Sequence, residues 1–368
     1  MAAEKTYRAA AIGRTNKGGY GHGLHTCYQG IERVEFVAVA DEDDEGRQAG
    51  QEATGAPRAY ADYRQMLERE KPDIVSVCPR WTDCHLEMVS ACLEAGAHVY
   101  CEKPMTWNLA DGDRIIELAA QVKRKVAVAH QAVYLPRVQH LKRILAEGRI
   151  GRVEAIYAHG KQDRRGGGED MIVLGTHLFN MMRFFAGDIA WMSAHVTDGG
   201  SELDVEHVRQ AGEPVGPIAG DCVNSYFAFA NGIAGFFDSR RYTEGGGMRY
   251  GMEIVGSQGR IALRGGAGSD LMIYPHPVLT PGQDDQVWLP LEEAADEPLP
   301  TGNQLAIIDL IEAAEQDRQP ISSAADAVAA LEMILGAYQA QISGARVAFP
   351  MQQRRHPLQV WQEGEHGG

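Results

Sequence analysis

Residues 8–41 read RAAAIGRTNKGGYGHGLHTCYQGIERVEFVAVAD, and the reading of this stretch decides the fold. Arg8 to Ile12 is an apolar run of strand length, a glycine-rich segment follows, and Leu24 to Ile31 has the spacing of an amphipathic helix. A second apolar run, Glu35 to Ala40, ends at Asp41 at the distance a β-α-β crossover requires. In such a unit the glycines let backbone amides approach a pyrophosphate, and the next helix offers its positive N-terminus. Gly13, Arg14, Thr15, Gly21 and His22 are therefore assigned to a dinucleotide, although Thr15 stands where the second glycine of G-x-G-x-x-G would be. Asp41, at a strand's carboxyl end, is placed to accept both ribose hydroxyls of NAD and, with Glu42, to repel the 2′-phosphate of NADP. Arg47 keeps NADP as the lesser reading.

Outward from this unit, helix and strand keep alternating. Tyr60–Glu70 reads as helix, Asp73–Cys78 as strand, Asp83–Ala95 as helix with Asp83 as its N-cap, and His98–Cys101 as strand. Leu109–Val122 and Lys125–Ala129 continue the pattern as helix and strand. The expected architecture is α/β: a doubly wound parallel sheet, a Rossmann domain, over residues 1–130. From residue 131 to 368 the texture changes to an α+β domain with an open, largely antiparallel sheet. Helix Pro136–Glu147, strand Val153–His159 and an apolar helix Met171–Phe185 lead into strands Ile189–Val196, Cys222–Ala230, Ile233–Ser239, Arg249–Val255, Arg260–Leu263 and Leu271–Tyr274. The polar segments 197–220 and 275–299 read as surface excursions, and helices Leu305–Gln316 and Ala324–Ile342 close the fold.

A chain of 368 residues exceeds what one core usually supports, so two domains sharing a cleft are expected. Its 44% hydrophobic and 23% charged residues are those of a soluble globular protein. A formal charge of -15 argues against nucleic acid as a partner, because phosphate binding needs a clustered basic surface. No apolar run is long enough to span a bilayer and the start lacks a signal-peptide core, so no membrane partner and a cytoplasmic location are expected. The six cysteines form no CxxC pair and no metal-ligand repeat, so they are read as reduced thiols and no metal is expected.

Two motifs carry chemistry. Cys78-Pro79-Arg80-Trp81-Thr82-Asp83-Cys84-His85 follows a strand at the edge where α/β sheets bind ligands, which assigns Pro79 and His85 to the cofactor. The next strand ends in Tyr100-Cys101-Glu102-Lys103-Pro104. With the strand Asp73–Pro79 and Leu93-Glu94-Ala95-Gly96-Ala97-His98-Val99, this motif resembles the Gfo/Idh/MocA oxidoreductase family, the glucose-fructose and inositol dehydrogenase relatives, over nearly the whole chain. The resemblance implies that Lys103 lies beside the nicotinamide and the reacting hydroxyl, and that Glu102 helps hold the nicotinamide ribose. An ammonium there stabilises a developing alkoxide.

The family's second signature matches residues 166–180, GGGEDMIVLGTHLFN, and implies that His177 is the acid or base on the substrate hydroxyl. Val173 and Asn180 replace two aspartates of the pattern, so Asp170 or Glu169 is the candidate carboxylate, kept ionised by the helix dipole or serving only as a cap. Gln131-Ala132-Val133-Tyr134-Leu135-Pro136 resembles the family's strand-end motif with Val133 in place of an arginine, which assigns Gln131 to the cofactor and Tyr134 to the cleft wall. Lys161, Arg164, Arg165, Arg240 and Arg241 form a basic group in an acidic chain, giving Arg164, Arg165 and Arg240 as substrate contacts and an anionic sugar as one reading.

The expected function is NAD-dependent oxidation of a secondary hydroxyl on a sugar, sugar derivative or cyclitol. One alternative is a redox-neutral glycosidase that oxidises a glycoside transiently and eliminates its aglycone. The other is a non-catalytic NAD-binding sensor. The family's habit and apolar strands such as Ser225–Phe229 imply a homo-oligomer built through the C-terminal sheet.

Overall fold

The computed structural model describes residues 5–242, 250–264, 271–280, 282–291 and 301–365. The chain divides into two compact units, the first taking the described residues of Met1–Tyr134, Glu213–Gly216 and Pro300–Val328.

The first unit carries β1 (Tyr7–Ile12), β2 (Val34–Ala40), α1 (Asp44–Thr54), β3 (Arg58–Tyr60), α2 (Tyr63–Glu70), β4 (Ile74–Val77), α3 (His85–Glu94), β5 (His98–Cys101), α4 (Leu109–Gln121) and β6 (Val126–Val128). The strands form one parallel sheet in the order β3-β2-β1-β4-β5-β6. Parallel strands are covered on both faces, so they read as continuous apolar runs; every residue of β4, Ile-Val-Ser-Val, is buried.

The expected helix at Leu24–Ile31 is absent. The chain passes from β1 to β2 through successive turns, with Thr26 N–H bonded to the Gly23 carbonyl (3.1 Å) and Ile31 N–H to that of Tyr28 (3.3 Å). Gly23 and Gly30, at φ +79° and +81°, take the left-handed backbone that ends a helix before it propagates. The crossover helix is instead α1, which lies beyond Asp41 and is capped by the Asp43 carboxylate on Gly46 N–H (2.8 Å). Its polar sequence DEGRQAGQEAT shows no apolar stripe, because its buried positions are Gly46 and Gly50. A Cβ on Gly46 would stand 1.8 Å from Thr15 Oγ1, and one on Gly50 2.5 Å from the Tyr20 hydroxyl. The glycine-rich loop therefore packs where a helix stripe would ordinarily project. Asp83 does not cap α3: it lies in a 3-10 turn, Thr82–Cys84, and its carboxylate accepts from Arg14 (3.0 Å).

The remaining elements are α5 (Pro136–Ala146), β7 (Val153–His159), α6 (Gly168–Val173), α7 (Gly175–Ala186), β8 (Ile189–Asp198), β9 (Ser201–Glu202), β10 (Arg209–Gln210), β11 (Pro217–Ile218), β12 (Cys222–Phe229), β13 (Ala234–Arg240), β14 (Gly251–Gly256), β15 (Gly259–Arg264), β16 (Leu271–Tyr274), β17 (Leu289–Pro290), α8 (Thr301–Glu315), α9 (Ala324–Ser343), β18 (Val347–Ala348) and α10 (Pro357–Glu365). Of these, α8 belongs to the first unit.

The second unit is built on a sheet ordered β17-β16-β15-β14-β7-β13-β12-β8-β18, with β9 on β8. Its pairs are antiparallel except β7 with β13. The expected single helix Met171–Phe185 is two, α6 and α7, which meet where Gly175 sits against the rings of Phe179 and Phe237. Arg249, at the start of one expected strand, and residues 292–299 of the expected excursion lie outside the described residues.

The inner side of β12 buries Val223, Phe227 and Phe229, while Asn224 and Tyr226 alternate to the other side. On that outer side Tyr157 stacks on Phe236 (4.6 Å between centroids), and Tyr226 meets both Phe236 and Trp191.

Candidate active site

The parallel strands of the first unit end level. Ile12 pairs with Ala40 and with Val77, Val77 with Cys101, and Cys101 with Val128. The residues that follow each strand, Gly13, Asp41, Cys78-Pro79, Glu102-Lys103 and, three residues beyond Val128, Gln131, consequently share the carboxyl edge of the sheet. This is the edge at which open α/β sheets receive ligands, at the point where the strand order reverses between β1 and β4.

A pocket of about 250 Å³ opens there, lined by Gly13, Arg14, Asp41, Glu42, Tyr63 and Met88. Asp41 is only 2% exposed. Its carboxylate accepts from the backbone N–H and hydroxyl of Thr15 (3.1 and 2.9 Å) and from Asp43 N–H (3.0 Å). Arg14 is drawn to Asp83, and Lys17 pairs with Glu42 (2.7 Å).

Glu102 is fully buried and spends its two oxygens separately. Oε1 contacts His22 Nδ1, and Oε2 accepts the backbone N–H of Lys103 (2.6 Å). Burial pushes this carboxyl up, but the His22 hydrogen bond, the charges of His22 and Lys103, and the Lys103 N–H together hold it below the usual carboxylate range. Lys103, 5% exposed, precedes a cis bond to Pro104. His85 is wholly buried, with Nδ1 2.8 Å from the Met105 carbonyl and Nε2 2.7 Å from that of Pro79. Its ring thereby ties the turn after β4 to the residue after Pro104.

Gln131 is buried with Oε1 lacking a hydrogen-bond partner, an acceptor left open at the sheet edge. Together with the pocket beside Gly13 and the carboxylate of Asp41, it makes the first unit's residues fit a dinucleotide. Tyr134, assigned to a cleft wall, lies in the core at 4% exposure, and its hydroxyl accepts Ser322 N–H (3.0 Å).

In the second unit, Asp170 is fully buried; Oδ2 accepts from Ser239 Oγ (2.5 Å) and Gln162 N–H (3.1 Å), while Oδ1 has no hydrogen-bond partner. The helix that starts here, α6, has only six residues, and desolvation leads in raising the Asp170 pKa despite those two donors. Glu169 is half-buried beside it in sequence. His177 is half-buried in the first turn of α7, its N–H on the Leu174 carbonyl (3.1 Å).

Three of the five members of the expected basic group are paired with two carboxylates. Asp163 holds Arg165 (3.0 Å) and Lys161 (3.5 Å), and Asp221 holds Arg241 (3.1 Å), which leaves Arg164 and Arg240 exposed. Desolvation opposes it, yet the Arg165 hydrogen bonds and the charges of Arg165 and Lys161 push Asp163 down to about 2.

Sequence reasoning missed Asn303 and Ser239. Asn303 is buried on α8, where its Oδ1 accepts from the Tyr100 hydroxyl (2.7 Å) and its Nδ2 donates to the His22 carbonyl (3.2 Å). Each is a lone polar residue at a buried position, a pattern visible in sequence only once the apolar face is known.

Residues 8–130 match the family model described as the oxidoreductase family, NAD-binding Rossmann fold, and residues 138–262 match the GFO/IDH/MocA C-terminal domain. The chain is 29% identical over 239 residues to a myo-inositol 2-dehydrogenase of Thermotoga maritima, covering 63% of this chain and 68% of that protein. It is 29% identical over 195 residues to a D-apiose dehydrogenase of Paraburkholderia graminis, 50% of this chain and 52% of that one. A levoglucosan dehydrogenase solved with NADH and levoglucosan shares the fold at TM-score 0.76 and 17% identity, over 94% of this chain and all of that one.

Proposed function

This chain belongs to the GFO/IDH/MocA oxidoreductases, an NAD-binding Rossmann family, and from that premise we propose that it oxidises a secondary hydroxyl of a sugar, sugar derivative or cyclitol. The observation that carries the reading is the level carboxyl edge of the parallel sheet, which gathers Gly13, Asp41, Lys103 and Gln131 on one side and opens a pocket at Gly13 and Asp41. When bound, NAD+ supplies the hydride acceptor. Asp41 would hold the adenosine ribose, and Gln131 would offer its open carbonyl to the cofactor. His177 takes the hydroxyl proton, while the Lys103 ammonium faces the charge developing on that oxygen. Asp170, buried behind its own helix start, supports this acid–base work rather than meeting the substrate directly. The relatives named for myo-inositol and D-apiose favour a neutral polyol. The outer side of the second unit's sheet, with its Tyr157, Phe236, Tyr226 and Trp191 row, is proposed to be covered by a second copy of the chain; sedimentation as a monomer alone would reject this.

The test is to supply NAD+ with a panel of cyclitols, sugars and glycosides, following NADH absorbance and aglycone release together. Net NADH that is lost in Lys103→Ala supports the proposal. Aglycone release that needs NAD+ yet leaves no NADH would point to the redox-neutral glycosidase instead.

A further inference from the structure

Glu102 joins two segments eighty residues apart, the glycine-rich loop at His22 and the lysine motif. The loop is pressed onto it: a Cβ on Gly21 would stand 2.4 Å from the Cys78 carbonyl oxygen and 3.0 Å from Glu102 Cγ. His22 is fixed from its other end as well, since the buried Asn303 holds its carbonyl and is itself held by Tyr100. The imidazole is 45% exposed, whereas the carboxylate it meets is completely buried. A buried carboxylate is costly unless its oxygens are met by donors. Here the donors are His22 on one oxygen and the Lys103 N–H on the other.

We infer that His22 is a positioning residue for Lys103, acting through Glu102, so that the glycine-rich loop and the lysine motif are set as one unit. The catalytic importance of this link rests on the proposed role of Lys103; the link itself does not. Without the His22 donor, one oxygen of Glu102 is left unmet in the core. The carboxyl then takes up a proton, and the loss of its charge alters the field that sets the ammonium. His22 would also carry the state of the cofactor loop to the lysine, because the loop cannot move without moving the donor.

The experiment reads Lys103 directly, in the full-length protein carrying 13C at lysine Cε, with its signal assigned by loss in Lys103→Arg. Glu102→Gln is expected to lower the Lys103 titration midpoint by about one pH unit, because a neighbouring negative charge is removed. His22→Phe is expected to shift it the same way, and His22→Gln, which restores one N–H donor, to lie closer to wild type. The double variant His22→Phe with Glu102→Gln should go no further than Glu102→Gln alone. With any polyol that yields NADH, His22→Phe should lower kcat by about 100-fold. A folded His22→Phe, or His22→Asn should the former not fold, whose Lys103 signal and midpoint equal those of wild type overturns the inference. Failure of every polyol to yield NADH would strike the proposed function and leave the Lys103 measurement to decide this one.

Discussion

Thr15 donates to Asp41 twice, through its backbone N–H at 3.1 Å and its hydroxyl at 2.9 Å. The residue standing where a second glycine was expected thus orients the carboxylate proposed to read the ribose. Removing the carboxylate should both loosen the loop and admit a 2′-phosphate. We expect Asp41→Ala to cut the preference for NADH over NADPH at least about tenfold, and Thr15→Val to weaken NADH by up to about tenfold, the worth of one hydrogen bond to a charged group. Binding titrations by nucleotide fluorescence measure both. An unchanged NADH-to-NADPH ratio in Asp41→Ala would remove Asp41 from the ribose site.

The parallel sheet was legible because its central strands are buried on both faces, so Ala9–Ile12, Val37–Ala40 and Ile74–Val77 stand out as apolar runs. The strand Val153–His159 could be placed to the residue for a related reason, its alternation against one covered face. What could not be read was the exchange around Tyr20. That ring fills the space over Gly13 and Gly50, which leaves α1 without an apolar stripe, while Gly23 and Gly30 in left-handed backbone leave the Leu24–Ile31 segment without a helix. In the site, Lys103 and Asp41 announced themselves by following strands, whereas the use of Glu102 by His22, and of Asn303 by both His22 and Tyr100, depends on contacts between residues 80 or more positions apart.

Asp170 offers a test with a definite sign. Its pKa in the folded state is raised, so its contribution to stability is present at low pH and lost as pH rises through the folded value. Asp170→Asn removes the titration while keeping the shape. Relative to that variant, the wild type should gain thermal stability as pH falls from neutrality toward the ordinary aspartate value of 3.8. A difference in Tm that does not change with pH would show that Asp170 is ionised in the fold. Activity should fall in the variant even where its Tm does not.

His98 and His356 act in the opposite sense. Desolvation leads in pushing His98 down to about 4 and His356 down to about 3. His98 is further committed to its neutral form, since Nδ1 accepts the backbone N–H of Lys125 at 2.9 Å. Both contributions are complete above the unfolded value of 6.5 and are lost as pH falls toward those folded values, because the unfolded chain takes up protons that the folded one refuses. Thermal unfolding followed from pH 7 to pH 4 should show a falling Tm, and His98→Gln, which keeps an acceptor but cannot titrate, should flatten part of that slope. An equal slope in the variant would mean that His98 is protonated in the fold.

The run Gly166-Gly167-Gly168 is a packing device. A Cβ on Gly166 would stand 2.2 Å from the backbone carbonyl of Arg240, one on Gly167 2.5 Å from the Gly220 carbonyl, and one on Gly168 2.3 Å from that of Ala219. These neighbours are main chain and cannot turn aside as a side chain would. Gly167 also has φ +85° and ψ -136°, a region that side chains exclude. Gly199, at φ +58° with nothing within 4 Å of a Cβ, is the control in which the conformational term acts alone. We therefore expect Gly199→Ala to cost about 1 kcal/mol, and Gly167→Ala to cost at least about 3 kcal/mol, the sum of overpacking and strain. Urea unfolding of the two variants side by side decides the matter: equal losses would mean that the run serves only as a flexible loop. A larger loss at Gly167 would mean that a glycine is needed there to let the chain leading into Asp170 and His177 pass the 220–221 backbone.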